Sequence, residues 1–320
     1  LVGSEMCIRD SCLLFVMAGC SGHSKNLKFG AADIGGVYYS FASTFTQLAD
    51  KEIDGYTFET KTTAGSVANL RLISDGYIDL AIAQADLLSD AYNATGTFAD
   101  KKYQKGYKAV ASLYTECCQI VVRKDSGITG IDDLINKTVS VGASESGSEK
   151  NAEQILKMSG ITDELINKVN MDYTEAAEKL KAGEIDAFFC TAGTRTEVIG
   201  QLSKECDICL ISLDDKCIDK MLSAYSLCEK YTIPAGTYNG QDSDVTTIGV
   251  KAVLIAKQSL SDDVIKNVTK TIYEHADDFK YATSLDISFD INTAADGVDI
   301  PFHSGAAAYY TERGINVLTE

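Results

Sequence analysis

Positive charge is scarce in this chain: 29 lysines and arginines stand against 46 aspartates and glutamates over 320 residues, a formal net charge of −17 at pH 7. Such a surface cannot gain from counterion release on a phosphate backbone, which argues against DNA or RNA as a partner. Long apolar runs are missing as well. No stretch of about 20 apolar residues occurs, so the chain as given holds no membrane-spanning helix. Histidine is limited to His23, His275 and His303, with no Ser/His/Asp or Cys/His arrangement legible in order. Neither a P-loop nor a G-x-G-x-x-G fingerprint is present. The residues of common hydrolytic and nucleotide-dependent chemistry are therefore lacking, and nothing calls for a cofactor.

Hydrophobic residues make up 45% of the sequence, enough for a sizeable core and for two lobes. The first nineteen residues are set aside. Met6-Cys7-Ile8-Arg9-Asp10-Ser11 looks like a translated sequencing-transposon end, and residues 1–11 carry no biological weight. Leu13-Leu14-Phe15-Val16-Met17-Ala18-Gly19 before Cys20 reads as the end of a lipoprotein signal peptide. Cys20 would then be a lipid anchor, followed by a polar linker over 20–26. The alternative is a buried strand that happens to contain a cysteine. Beyond Cys20, seven cysteines remain: Cys117, Cys118, Cys190, Cys206, Cys209, Cys217 and Cys228. An odd number argues against a complete disulfide framework. Cys206-Asp207-Ile208-Cys209 has zinc-knuckle spacing but no second pair to complete a site, so reduced thiols and no metal are expected.

The densest information lies at Phe29 to Phe41, where a strand-like start passes through Gly35-Gly36 into a helical pattern with Val37, Phe41, Phe45 and Leu48 on one face. A glycine turn at a helix start leaves backbone N–H groups free and lets a ligand approach, and the helix dipole favours negative charge there. Strand and helix then alternate. Tyr56-Thr57-Phe58-Glu59-Thr60-Lys61-Thr62 alternates like a strand, Thr63-Ala64-Gly65-Ser66 opens a helix that Gly76 closes, and Ile78-Asp79-Leu80-Ala81-Ile82-Ala83 reads as a buried strand. This is the signature of a parallel α/β sheet. The phrase "helix end, glycine, Ile-Asp, buried strand" recurs at Ala182-Gly183-Glu184-Ile185-Asp186-Ala187-Phe188-Phe189-Cys190-Thr191. Chance recurrence of a common turn would give the same pattern, yet both copies end in a small-residue loop at a strand's carboxyl end, where open α/β sheets bind ligands. Between them lie the strands Gln119-Ile120-Val121-Val122-Arg123 and Thr138-Val139-Ser140-Val141. The second runs into Gly142-Ala143-Ser144-Glu145-Ser146-Gly147-Ser148 and a helix capped by Gly160. Ser146 and Ser148 suit either helix capping or ligand contact. Val250 to Lys257 reads as a strand returning the chain to the first lobe. The expected architecture is two-lobed α/β: residues 27–115 and 252–320 form lobe 1, and 116–251 form lobe 2. Each lobe is a mainly parallel sheet flanked by helices, and two hinge crossings join them.

Several motifs taken together, in order, resemble the TAXI family of solute receptors of TRAP transporters. They are Gly35-Gly36-Val37-Tyr38-Tyr39, Thr63-Ala64-Gly65-Ser66-Val67-Ala68-Asn69, Gln84-Ala85-Asp86, Val122-Arg123-Lys124-Asp125-Ser126-Gly127-Ile128, Ser146-Gly147-Ser148-Glu149 and Ile233-Pro234-Ala235-Gly236-Thr237-Tyr238. The resemblance spans about Leu27 to Gly314. It implies a type II periplasmic-binding-protein fold in a monomer outside the cytoplasm. It further implies capture of a small carboxylate or acidic amino acid such as glutamate, glutamine or 2-oxoglutarate, and delivery to an ion-gradient-driven TRAP permease. By motif, ligand contacts would come from Gly36, Tyr38, Ser66, Gln84 and Asp86 on one lobe, and from Ser146, Gly147, Ser148, Thr191, Ala192 and Gly193 on the other. The tyrosines suit rim packing equally, and Asp86 suits the cap of a helix from Leu87. Asp86 would also suit an ammonium, which favours an amino acid over a plain diacid. The chain departs from the family pattern at Glu145, where glycine is usual, and at Arg195, where proline is usual; these put an additional anion beside the anion site and a cation near it, or equally suit an ion pair with one another across the loops, worth little if exposed. Alternatives to a receptor are an enzyme on the same scaffold, with Cys190 the one nucleophile candidate, and the sensing domain of a signalling receptor.

Overall fold

A computed structural model describes residues 24–100, 106–284 and 289–320. Residues 1–23, with the adapter-like segment, the signal-peptide reading and Cys20, lie outside the described residues.

The first lobe begins with β1 (Lys25–Gly30), which runs through a glycine turn into α1 (Val37–Glu52), then β2 (Tyr56–Lys61), α2 (Ser66–Ser74), β3 (Leu80–Gln84) and α3 (Ala85–Asn93). β1 lies between β2 and β3, parallel to both. Lys25 and Asn26 pair with Tyr56 and Thr57, so two residues expected in the linker belong to the sheet. Their polar side chains gave no strand pattern because both are exposed, so alternation begins only at Leu27. α1 forms because Val37, Phe41 and Phe45 recur every fourth residue, and it buries that face. Phe41 stacks on Phe279 at 4.4 Å between ring centroids, and Phe45 meets Phe29 edge-on at 5.5 Å. Each such ring contributes about 1.5–3 kcal/mol on burial, so this aromatic cluster fixes α1 against the sheet.

β4 (Tyr107–Arg123) follows and is far longer than the pentapeptide strand expected at Gln119. Its residues are buried on both faces nearly throughout, so there is no alternation to read. The second lobe then continues through β5 (Thr138–Ser140), α4 (Gly147–Ser159), β6 (Asn167–Val169), α5 (Tyr173–Ala182), β7 (Ala187–Ala192), α6 (Glu197–Glu205), β8 (Ile208–Leu210), α7 (Asp215–Ala224) and β9 (Cys228–Ile233). β10 (Val245–Lys257) returns, and α8 (Asp262–Glu274), α9 (Ala276–Thr283) and α10 (Ser304–Thr311) close the chain.

The described strands form one sheet in the order β2-β1-β3-β10-β4-β7-β5-β6, with β8 on β4 and β9 on β10. Its two ends are parallel trios, β2-β1-β3 and β7-β5-β6. β4 and β10 run antiparallel to one another between them. The second half of β10 lies between β3 and the first half of β4, while the second half of β4 pairs with β7 and β8 and the first half of β10 with β9. The crossings expected at 115/116 and 251/252 fall inside these two strands, whose register shifts between Ala252 and Val253 and between Leu254 and Ile255. The seven cysteines among the described residues are free thiols, and all but Cys206 and Cys209 are buried.

Candidate functional site

The carboxyl ends of the parallel strands from both lobes face a shared cavity of about 270 Å³. Four helix starts converge on it. Gly36 to Tyr38 opens α1, Gly65-Ser66 opens α2, Ser146 to Ser148 opens α4, and Asp172-Tyr173 opens α5. Each delivers a positive dipole end. The turn before α2 is braced by Asn69, a fully buried residue. Its amide donates to the carbonyls of Ala31 at 2.6 Å and Ile82 at 2.8 Å and accepts from the Thr63 hydroxyl at 2.7 Å. One side chain thus ties the ends of β1 and β3 to the helix. Gly65 has φ 119° and ψ −149°, a conformation open essentially to glycine, and its missing Cβ would point at Ser146 of the other lobe, 3.5 Å from the Ser146 Cα.

Of the residues singled out by motif, Gly36, Tyr38, Ser66, Gln84, Ser146, Gly147, Ser148, Thr191 and Ala192 line this cavity. Asp86 and Gly193 do not. Asp86 stands in the first turn of α3, which begins at Ala85 rather than Leu87, and is turned toward Gln154 of α4. Burial lifts its carboxyl to about 6, the Leu87 N–H and the Gln154 side chain opposing that rise. Gly193 sits behind the cavity, its carbonyl accepting from Thr196 Oγ1 at 2.6 Å.

The serines divide in role. Ser146 caps α4, its hydroxyl accepting from the Glu149 N–H at 3.0 Å. Ser148 instead accepts from the Thr191 N–H at 2.8 Å and meets the Tyr173 hydroxyl at 2.5 Å, which pins α4 to the end of β7. On the first lobe, Ser66 Oγ accepts from the Gln84 N–H at 3.1 Å.

Beside Asp172 at the α5 start, three further cavity residues had no site role assigned from sequence. Glu116, on β4 in the middle of the sheet, is 3% exposed and accepts a 2.8 Å hydrogen bond from the Tyr38 hydroxyl. Burial pushes its carboxyl up to about 8, against hydrogen bonds from Tyr38 and Gln84 that favour the ionised form. The one acidic residue in a strand made mostly of apolar and small side chains was the available signal. Tyr173, the second, donates to the Thr191 carbonyl at 3.0 Å. Asp33, the third, has its carboxyl raised by burial and then by the nearby Asp172, while the N–H groups of Ile34, Gly35 and Tyr173 pull it down. Oδ2 of Asp33 and Oε1 of Gln84 are buried with no hydrogen-bond partner. Among the described residues no lysine, arginine or histidine lines the cavity.

The lobes touch around its rim. Glu145, at φ 66°, accepts at its backbone carbonyl from the Ala68 N–H at 3.0 Å. Its carboxylate receives Arg71 through Nε at 3.1 Å and a terminal nitrogen at 2.6 Å. Glu145 therefore pairs across the cleft with Arg71 and not with Arg195, because Arg71 lies one helical turn along α2 from the loop it faces. A Cβ on Gly147 would come within 2.5 Å of the Gln84 side chain, so the walls meet closely here.

Cys190 is fully buried on β7, and burial drives its thiol well above the ordinary range. A thiolate nucleophile is disfavoured at such a place. No group of three or more potential metal ligands occurs among the described residues, and no helix among them is long and apolar enough to cross a membrane.

Solved structures share the fold. The chain is similar to PhnD1 from Prochlorococcus marinus (MIT 9301) in complex with methylphosphonate, at 13% identity and a TM-score of 0.57 over 83% of this chain and 93% of that one. It is also similar to a ligand-binding component of an ABC-type import system from Staphylococcus aureus with zinc bound (12%, 0.51, 92% and 94%). An ancestral arginine-binding protein bound to arginine matches at 16% identity and a TM-score of 0.50 over 82% of this chain and 98% of that one. At these identities the likeness speaks for the fold: a mixed α/β sheet flanked by helices, as in periplasmic binding proteins. The match in sequence is to the NMT1-like family over residues 29–314, and the chain belongs to that family.

Proposed function

We propose that this protein is an extracytoplasmic solute receptor without catalytic activity. It captures a small carboxylate or amino acid of the glutamate, glutamine or 2-oxoglutarate kind between its lobes. The observation that carries this reading is the convergence of four helix starts on one cavity, two of them, α1 and α2, with glycine N-caps and no side-chain cap. Free N–H groups and a dipole end suit a carboxylate. A cavity of about 270 Å³ falls just below the range of about 300–1,000 Å³ usual for drug-sized ligands, which favours a small solute. The fold relatives named above carry methylphosphonate and arginine, both small and charged. The division into lobes of 27–115 with 252–320 and of 116–251 makes β4 and β10 the hinge. Delivery to a TRAP permease rests on the resemblance of the motifs to TAXI receptors, and tethering through Cys20 at the outer face of the membrane rests on the apolar run from Leu13 to Gly19 before that cysteine. Cys190, the nucleophile candidate for an enzyme on this scaffold, does not line the cavity.

The test is thermal unfolding of the purified protein against a panel of amino acids and dicarboxylates. A ligand at 100 times its dissociation constant adds about 2.7 kcal/mol of stability, a shift of a few degrees. If no small acid or amino acid raises the midpoint, the reading fails. Turnover of a panel member, followed by mass spectrometry, would favour an enzyme instead.

A further inference from the structure

We infer that Arg195 and Lys204 form an outer anion site between the lobes, where a solute of net negative charge is collected before it reaches the cavity. This rests on the receptor reading above and adds the route by which the solute arrives.

An anion has little reason to approach this molecule from a distance. The chain carries a formal charge of −17, whose summed field repels anions. Inside the cavity the ionisable carboxyl groups are Asp33, Glu116 and Asp172, and no basic side chain lines the space among the described residues. The helix starts there act over about one turn. They can hold a carboxylate that has arrived, but they do not draw one in.

Two depressions between the lobes share Gly35 and Glu197 in their linings and differ in sign. The first lies between α5 and α6 and adds Glu178, Glu205 and Lys181, of which Lys181 is already paired with Glu205 at 2.6 Å. The second, of about 360 Å³, lies between α6, the start of α1 and the end of α9, and adds Arg195 and Lys204. One depression thus sets three carboxylates against one cation, and the other two cations against one carboxylate. Gly36 and Val37 line both the cationic depression and the cavity, so the two spaces adjoin at the opening turn of α1.

Neither cation is spent on the protein. Arg195 and Lys204 are exposed and make no hydrogen bond or ion pair among the described residues. The loop carrying Arg195 leaves β7 directly after Thr191 and Ala192, which line the cavity. Thr196 pins its far end, the N–H donating to the Tyr238 hydroxyl at 3.1 Å and the hydroxyl to the Gly193 carbonyl at 2.6 Å. Lys204 stands in the last turn of α6. Two unpaired cations facing one depression focus the local field and raise the concentration of anions there.

The experiment is stopped-flow tyrosine fluorescence on the purified full chain mixed with L-glutamate, 2-oxoglutarate or L-glutamine. Ionic strength is varied from about 0.01 M to 1 M, over which the Debye length shrinks from about 30 Å to 3 Å. Repulsion by the overall charge would make association of the two anions faster as salt rises. Collection at Arg195 and Lys204 makes it slower, by about tenfold, the low end of electrostatic steering. The double variant Arg195→Gln with Lys204→Gln should lose that salt dependence and associate about tenfold more slowly at low salt, its dissociation rate holding within about twofold. Glu178→Gln, in the acidic depression, should associate no more slowly than the unaltered protein. Association that quickens with salt overturns the outer site and leaves the receptor reading intact. So does a folded double variant that associates as fast as the unaltered protein, or one whose loss lies in dissociation. Binding of L-glutamine alone, which has no net charge, likewise overturns the outer site only. If no solute of the wider panel binds, the receptor reading itself falls and the outer site with it. Should the double variant not fold, the sign of the salt dependence in the unaltered protein still decides.

Discussion

The two walls of the cavity are built from the same parts and finished differently. On the first lobe, α1 and α2 begin at Gly36 and Gly65 with no side chain closing the helix end. On the second, α4 and α5 begin at Ser146 and Asp172, each accepting the N–H three residues on. A helix start leaves about four N–H groups unpaired, which a cap or a ligand must satisfy. The second lobe meets part of that demand with side-chain caps, whereas on the first the Gly36 N–H goes to the Asp33 carbonyl, the Gly65 N–H to Thr63 Oγ1 and the Ala68 N–H to the Glu145 carbonyl, and the N-cap glycines themselves offer no cap. The difference separates residues that hold the fold from residues left available to a solute, although all of them line one cavity.

The sharpest way to break this comparison is Gly65→Ala. The backbone at φ 119°, ψ −149° is one that only glycine adopts without strain, and forcing a side chain there costs about 1–3 kcal/mol. The added methyl also faces Ser146 across the cleft. We expect a lower unfolding midpoint in urea together with loss of solute binding. Binding unchanged from the unaltered protein would show that the α2 start is not part of the site.

Next in size is the pH dependence carried by Glu116. Its folded carboxyl titrates at about 8 against an ordinary value of 4.5, so the folded state holds a proton that the unfolded chain gives up earlier. The associated stability is complete below pH 4.5 and is lost as pH rises through 8. The groups facing it include Tyr38, Tyr114, Tyr173, Cys117, Cys190 and Asp86. The thiols and phenols are themselves raised by burial and stay neutral over this window, while Asp86 titrates at about 6. The difference in unfolding free energy between the unaltered protein and Glu116→Gln should therefore slope between pH 4.5 and 8 and be flat outside it. A difference independent of pH would mean that the carboxyl is ionised throughout.

The opposite wall should respond the other way. Removing the cap with Asp172→Ala costs about 0.5–2 kcal/mol of stability, while affinity for the best panel solute moves within about threefold. Chemical denaturation and calorimetry on one preparation read both quantities. A large loss of affinity without loss of stability would make Asp172 a ligand contact and erase the distinction between the walls.

Much of the fold was legible because its helices and outer strands carry their periodicity openly: α1 in Val37, Phe41 and Phe45, and the helix ends in Gly160 and Gly183, both left-handed as a C-cap requires. β4 was not legible over Tyr107 to Cys118. A strand covered on both faces shows no alternation, and it shares its composition with a buried helix. Glu116 was hidden inside that stretch. The side of the sheet on which a lone acid lands follows from the pairing of β4 with β10, and no local pattern records that. Asp86 illustrates the converse. Its neighbour Gln84 ends the strand and lines the cavity, but two residues later the chain has turned into α3 and the carboxyl faces α4. The ion-pair partner of Glu145 likewise depended on how the lobes meet, which placed Arg71 opposite.

That pair gives the smallest expected effect and the finest use of the comparison. Arg71 belongs to the first wall and Glu145 to the loop before the second, and the two are joined by a bidentate contact with both side chains 40% exposed. At such exposure a pair is worth about 0.2–1 kcal/mol, and salt screens it. Because it forms between lobes, its loss should act on the closed arrangement and leave each lobe's own packing alone. Arg71→Ala should therefore weaken solute binding by about 1.4- to fivefold, chiefly through faster release, and added salt should weaken the unaltered protein toward the variant while moving the variant less. The backbone bond from Ala68 to Glu145 remains in the variant, so closure is loosened rather than abolished. If Arg71→Ala binds and releases solute as the unaltered protein does at low salt, the ion pair adds nothing to closure and the Ala68–Glu145 backbone bond and the cavity contacts hold the walls.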